Sequence, residues 1–134
     1  MLTDNQGNHY FTALDLYQIA QEALGKEPNV RDPLLLKSAA ARPWLQAFGE
    51  EAYPTMLEKA AALMHSLAAH HLFFDGNKRT ATLATTRFLL ANGFQPKWDD
   101  ETIYDFVLEV AQHQHDVAAI ADWLMHHTVR MQDE

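Results

Sequence analysis

An uninterrupted apolar stripe in the middle of the chain does most to limit how it can fold. Leu57, Ala60, Ala61, Met64, Leu67, Ala68 and His71 follow one another at steps of three and four, with Pro54 near the start and no proline or glycine inside. That spacing puts the side chains on one helical face, so the stretch predicts a long core helix ending at the loop from Leu72 to Asn77. Beyond the loop, Ala81, Ala84, Phe88 and Ala91 form a second stripe, closed by Asn92-Gly93 as a left-handed stop. The expected centre of the fold is two helices flanking one short polar loop.

Other segments carry the same kind of signal. Thr12 and Asp15 match a capping box, Leu16, Ile19, Ala20 and Ala23 share a face, and Gly25 stands where a C-terminal cap belongs, so a helix is expected over about Ala13 to Leu24. Asp32-Pro33 supplies an N-cap and a first-turn proline for a short second helix, and Pro43 forbids its continuation past Arg42. Ile103, Phe106, Val107 and Val110, then Val117, Ile120, Ala121 and Leu124 after an Asp116 cap, read as two more amphipathic helices. The expected class is all-α, a compact bundle of about six helices. The only strand signal is a short β-hairpin within Gly7 to Phe11 or Phe94 to Trp98. The 134 residues suit a single domain over 1–134, long enough for a core and too short for two.

Composition narrows the function. The chain has 10 Lys plus Arg against 18 Asp plus Glu, a formal charge of −8, which speaks against direct nucleic-acid binding by bulk electrostatics. The acidic excess is C-terminal: nine acids lie between Gln95 and Glu134 with only Lys97 and Arg130 as bases, a solvated face or a docking surface for a basic segment. The absence of cysteine excludes disulfides, thiolate zinc sites and a cysteine nucleophile. No stretch approaches the roughly 18 consecutive apolar residues of a membrane span. Met1-Leu2-Thr3-Asp4-Asn5 lacks the blocks of a signal peptide. A soluble, cytoplasmic protein without a membrane partner is expected.

The chemistry concentrates in His71-Leu72-Phe73-Phe74-Asp75-Gly76-Asn77-Lys78-Arg79-Thr80. A loop opening into a helix presents free N–H groups and the positive end of the helix dipole. Gly76 lets the backbone come close, and Lys78 and Arg79 add full charges. Phosphate is the natural guest. A carboxylate beside a phosphate calls for a divalent cation between them, so Asp75 reads as a Mg²⁺ ligand. His71, at the end of the preceding helix, is a base able to take a proton from a hydroxyl at neutral pH.

The run from His71 to Arg79 resembles the signature of the Fic/Doc family, and Lys78, where most Fic enzymes carry a second glycine, makes it most similar to the death-on-curing (Doc) branch. The resemblance is strongest from Arg31 to Phe94 and implies a Fic/Doc-type helical bundle with the active loop between two core helices. It implies that His71 is the catalytic base on a protein hydroxyl, that Phe73 anchors the loop, and that Asp75 holds Mg²⁺. Gly76 and Asn77 would cradle the nucleotide phosphate that Arg79 pairs with. In adenylylating relatives a small residue at the position of Lys78 leaves room for the departing phosphates. A lysine there implies instead a kinase that transfers the γ-phosphoryl group of ATP, with elongation factor Tu as the target by resemblance. Many Fic enzymes restrain themselves through a helix in which Glu precedes Gly or Asn, and no Glu here is so followed. Restraint by a separate, Phd-like antitoxin is therefore expected, its disordered C-terminal segment folding onto this chain.

Other readings remain beside this one. AMP transfer to a protein hydroxyl is the enzymatic alternative, and a non-catalytic helical interaction module that holds an anion is the other. The Gly, Lys and Thr of residues 76–80 mimic a P-loop, but the upstream glycine is missing and a helix, not a strand, precedes them. His70 falls off the stripe and reads as an exposed spectator. His113, His115, His126 and His127 read as surface histidines, and Met64, Phe88 and Trp123 as core.

Overall fold

In the computed structural model, which describes residues 1–131, the order of elements is β1 (Leu2–Thr3), β2 (His9–Tyr10), α1 (Ala13–Leu24), α2 (Pro33–Ala41), a 3-10 turn (Arg42–Trp44), β3 (Gln46–Ala47), β4 (Glu50–Glu51), α3 (Met56–Ala69), α4 (Asn77–Ala91), β5 (Phe94–Pro96), α5 (Asp100–Ala111), α6 (Val117–His126) and β6 (Thr128–Arg130). Local chemistry explains most of these boundaries. Thr12, Asp32, Thr55, Asp99 and Asp116 each accept a hydrogen bond from a first-turn N–H, opening α1, α2, α3, α5 and α6. The Thr12–Asp15 capping box is complete, and Gly25 closes α1 at φ +71.

Helix α3 runs through the middle of the bundle, with 10 of its 14 residues buried. It packs most extensively on α4 and then on α6, and α1 lies on the outer side of α4. Small alanines, Ala60, Ala61 and Ala68 on α3 and Ala81 and Ala84 on α4, are buried in the core, and small side chains favour close helix packing. Larger side chains fill the surrounding layers, among them Leu16 and Ile19 of α1, Val107 of α5 and Ile120 and Leu124 of α6, in one continuous apolar cluster. None of the described helices is long and apolar enough to cross a membrane.

The all-helical expectation stands, with three small antiparallel ribbons added. Both suspected strand regions are strands: β1 pairs with β2, and β5 pairs with the distant β6 rather than forming a local hairpin. The β3–β4 hairpin carries no strand pattern in the sequence. It is anchored from below by Lys59 of α3. That side chain is 2% exposed, and its Nζ donates to the carbonyls of Pro43 and Tyr53 at 3.1 and 2.7 Å and to Glu51 Oε1 at 2.9 Å.

Three sequence expectations need correction. Helix α3 ends at Ala69, and His71 lies two residues beyond it with φ +54, so the stripe outruns the helix by about half a turn. His70 is half-buried, its ring set edge-on to His65 at 5.1 Å, rather than an exposed spectator. His115 and His127 are also half-buried, the first tilted against Phe106 at 4.9 Å and the second stacked on Trp123 at 3.8 Å, whereas His113 and His126 are exposed as expected. Met64 and Phe88 are core, and Trp123 packs partly buried against it.

Candidate active site

The loop between α3 and α4 is built from both of its edges. On one edge, Asn77 reaches back to Phe73 with both ends of its carboxamide: Oδ1 accepts from the Phe73 N–H at 3.0 Å, and Nδ2 donates to the Phe73 carbonyl at 2.8 Å. Phe73 itself is buried in the core, so the turn is tied down from inside and from outside. On the other edge runs the segment before α2. The Phe74 N–H donates to the Asn29 carbonyl at 3.0 Å, the N–H groups of Arg31 and Asp32 converge on the Leu72 carbonyl, and Val30 pairs with Phe73 as an antiparallel bridge. Arg31 Nε donates to the His71 carbonyl at 2.7 Å.

Gly76 turns the chain into α4 with φ +80, a conformation that glycine alone adopts freely. A Cβ there would overlap the Leu24 side chain, meeting its Cγ at 2.8 Å. Helix α4 is the one α-helix among the described residues whose N-terminus has no side-chain cap. The N–H groups of Asn77, Lys78 and Arg79 therefore open outward, as the first-turn donors of any uncapped helix do. Lys78 and Arg79 are exposed and form no ion pair among the described residues, and neither does Asp75.

Asp75, Gly76, Asn77, Lys78 and Arg79 line one hollow of about 180 Å³, with Tyr104 of α5 as its far wall. Lys78, Arg79 and Tyr104 also border a longer, mostly apolar groove of about 360 Å³, walled by Ala23, Leu83, Ile103 and Val107. The five residues expected to bind phosphate and metal are thus brought together. His71 does not line this hollow; it is exposed at the opposite end of the loop. The Asn77 side chain is committed to Phe73, so its backbone N–H is the group it turns toward the hollow.

The donor set suits a magnesium ion that arrives with a nucleotide. Mg²⁺ typically takes one or two carboxylates and completes its shell with water and phosphate oxygens, and Asp75 offers one carboxylate that makes no ion pair among the described residues. Among the described residues, no group of three or more His, Cys, Asp or Glu forms an all-protein metal cage.

Sequence reasoning missed Arg31, Leu24 and Tyr104 as parts of the loop's surroundings. Each acts across a long stretch of sequence, and only the Arg31-Asp32-Pro33 run carried a local signal, that of a helix start.

Comparison with known proteins identifies the family. The chain is 42% identical over 114 residues to the protein named Toxin Doc of Mycolicibacterium smegmatis (strain ATCC 700084 / mc(2)155), an overlap of 84% of this chain and 88% of the relative. It is 30% identical over 100 residues to the protein named Protein kinase doc of Escherichia phage P1, covering 75% and 78% of the two chains. The model of the Fic/DOC family matches residues 10–89, which include α1 to most of α4 and the whole loop. This chain belongs to the Fic/Doc family.

Proposed function

We propose that the protein is a Doc-type toxin, a protein kinase that transfers the γ-phosphoryl group of ATP to a Ser or Thr hydroxyl of a translation factor. The observation that carries this reading is the uncapped N-terminus of α4, where two cations and a carboxylate, none of them in an ion pair among the described residues, surround one hollow. Such a site holds a polyphosphate with its metal and has no evident structural use when empty. The phage relative's name, a protein kinase, supports phosphoryl transfer, and the mycobacterial relative's name supports the toxin role.

In this reading the N–H groups of α4 and the Arg79 guanidinium bind phosphate oxygens, and Lys78 fills the space a departing pyrophosphate would need. Asp75 holds the magnesium ion, which neutralises phosphate charge when bound. His71 accepts the proton of the attacking hydroxyl as the new P–O bond forms and the bond to the β-phosphate oxygen breaks, leaving ADP. In-line phosphoryl transfer asks for positioning and charge neutralisation, and the loop offers both. Elongation factor Tu is the proposed target and a Phd-like antitoxin the proposed restraint. The apolar groove beside Lys78 and Arg79 gives an ordering antitoxin segment a surface next to the site.

The test incubates the protein with elongation factor Tu and ATP labelled at either the α or the γ phosphate. Movement of the γ label, lost in His71→Ala with the fold intact by circular dichroism, is the expected result. Movement of the α label would make the protein an adenylyltransferase, and movement of neither would leave a non-catalytic anion-binding module.

A further inference from the structure

His71 occupies an uncommon backbone conformation, one that histidine tolerates better than most residues with a Cβ. Its φ of +54 lies in the left-handed region that residues with a Cβ rarely adopt. The only hydrogen bond found at His71 among the described residues goes to its carbonyl, not to its ring. The main chain therefore sets where the Cα–Cβ bond of His71 points and so which χ1 and χ2 rotamers bring the imidazole to the site, and whatever holds that main chain holds the base's starting point.

What holds it is the segment Asn29 to Asp32. Its backbone makes three hydrogen bonds to the loop: Phe74 N–H to the Asn29 carbonyl at 3.0 Å, and the Arg31 and Asp32 N–H groups to the Leu72 carbonyl at 2.8 and 3.2 Å. One side chain completes it. Arg31 Nε donates to the His71 carbonyl at 2.7 Å, and Nη2 reaches within 3.5 Å of the His70 carbonyl. Helix α3 ends at Ala69, so these carbonyls belong to a helix end that lacks partners of its own, where a cation also meets the negative end of the helix dipole. Arg31 has no carboxylate partner among the described residues, so its guanidinium has no competing contact.

We propose that Arg31 is a positioning residue for the transfer reaction: by holding the His71 carbonyl against the Asn29–Asp32 segment, it keeps His71 in the left-handed conformation that aims the imidazole at the acceptor hydroxyl. The proposal rests on the reading of His71 as the base. A guanidinium this exposed has one rival role, direct contact with the nucleotide, and the two separate kinetically. Loss of positioning lowers kcat and leaves the nucleotide's KM alone, whereas loss of a phosphate contact raises KM.

The experiment compares wild type, Arg31→Ala and Arg31→Lys. It measures kcat and KM for ATP, and by NMR the N–H to Hα coupling of His71 and the amide exchange of Phe74. Arg31→Ala is expected to lose kcat by about 10²-fold, the scale of a reacting group misplaced by an ångström, with KM for ATP within about twofold. Added methylguanidinium should return part of that rate, and Arg31→Lys should fall between the two. In Arg31→Ala the His71 coupling should leave its left-handed value and Phe74 should exchange faster. A kcat within about threefold of wild type, a raised KM at unchanged kcat, or an unaltered His71 coupling would each overturn the proposal. If wild type moves neither label, the reading of His71 as a base fails; the coupling and the exchange rate then still decide whether Arg31 holds the conformation.

Discussion

At the scale of single residues, the loop is shaped by what Gly76 lacks. Its φ of +80 disfavours any side chain, and the Leu24 side chain fills the place where a Cβ would go. Gly76→Ala should therefore cost about 2–4 kcal/mol, combining the left-handed penalty with overpacking, read as a lower urea midpoint at unchanged m. Leu24→Ala in the same chain opens the space, so the double variant should be at least about 1 kcal/mol more stable than the two single losses summed. Strict additivity would mean that Leu24 is not the obstacle. Lys78 is tested through its product rather than its stability. If its bulk and charge dictate how ATP lies, Lys78→Gly should weaken transfer of the γ label and admit some transfer of the α label, while Lys78→Met, which keeps most of the length, should not admit the α label. Glycine also loosens the first helical turn by roughly 1 kcal/mol, so a mere loss of rate in Lys78→Gly decides nothing; the identity of the transferred label does.

At the scale of elements, α4 is fastened at both ends by the same device. Asn77 brackets the peptide groups of Phe73, and Asn92, just past the other end, accepts from the His9 N–H at 2.8 Å and donates to the His9 carbonyl at 3.0 Å. Changing either to aspartate keeps the shape, removes the donor and sets a carboxylate against a carbonyl, at an expected cost of about 1–3 kcal/mol. The two should differ in function. Asn77→Asp should also weaken nucleotide binding, measured by calorimetry, because it frees the loop and adds negative charge beside the phosphates; Asn92→Asp should leave binding unchanged. Equal effects on binding would place the cause in α4 as a whole rather than in its N-terminal clamp. This contrast also shows what the sequence makes legible. The bounds of α1 and α2 follow from Thr12, Gly25, Asp32 and Pro43, because caps and breakers act within a few residues. The loop's residues were legible as a motif, but not that Asn77 spends its side chain on Phe73, nor that Arg31 reaches His71 from 40 positions away. The end of α3 was misplaced because His71 keeps the apolar spacing while its carbonyl is bound from outside the helix.

At the scale of the whole molecule, a half-buried polar node ties the end of α2 to α3 and makes stability depend on pH. Arg42 Nη1 donates to His65 Nδ1 at 2.9 Å and to Ser66 Oγ at 3.0 Å, while Nε donates to the Tyr53 hydroxyl at 3.0 Å. An arginine only donates, so Nδ1 of His65 must be bare and the imidazole neutral. Burial, then the charge of Arg42, then His70 and His113, push His65 from its ordinary 6.5 down to about 4, against the weaker pull of Asp116; burial lowers His70 as well. Between those values the unfolded chain binds a proton that the folded chain refuses. The contribution is therefore complete above about pH 6.5 and is lost as pH falls from there toward 4. The gap amounts to about 3 kcal/mol at most, and partial exposure of the ring brings the expected loss to about 1–2 kcal/mol. Asp15, held below its usual 3.8, loses its stabilising contribution only at lower pH, so the histidine stage comes first. Urea unfolding at about pH 7.5 and about pH 5 should show this loss in wild type and about half of it or less in His65→Gln, whose amide oxygen can still accept from Arg42. If the variant falls as steeply as wild type over that range, the proton responsible is not on His65, and the node holds the helices together without sensing pH.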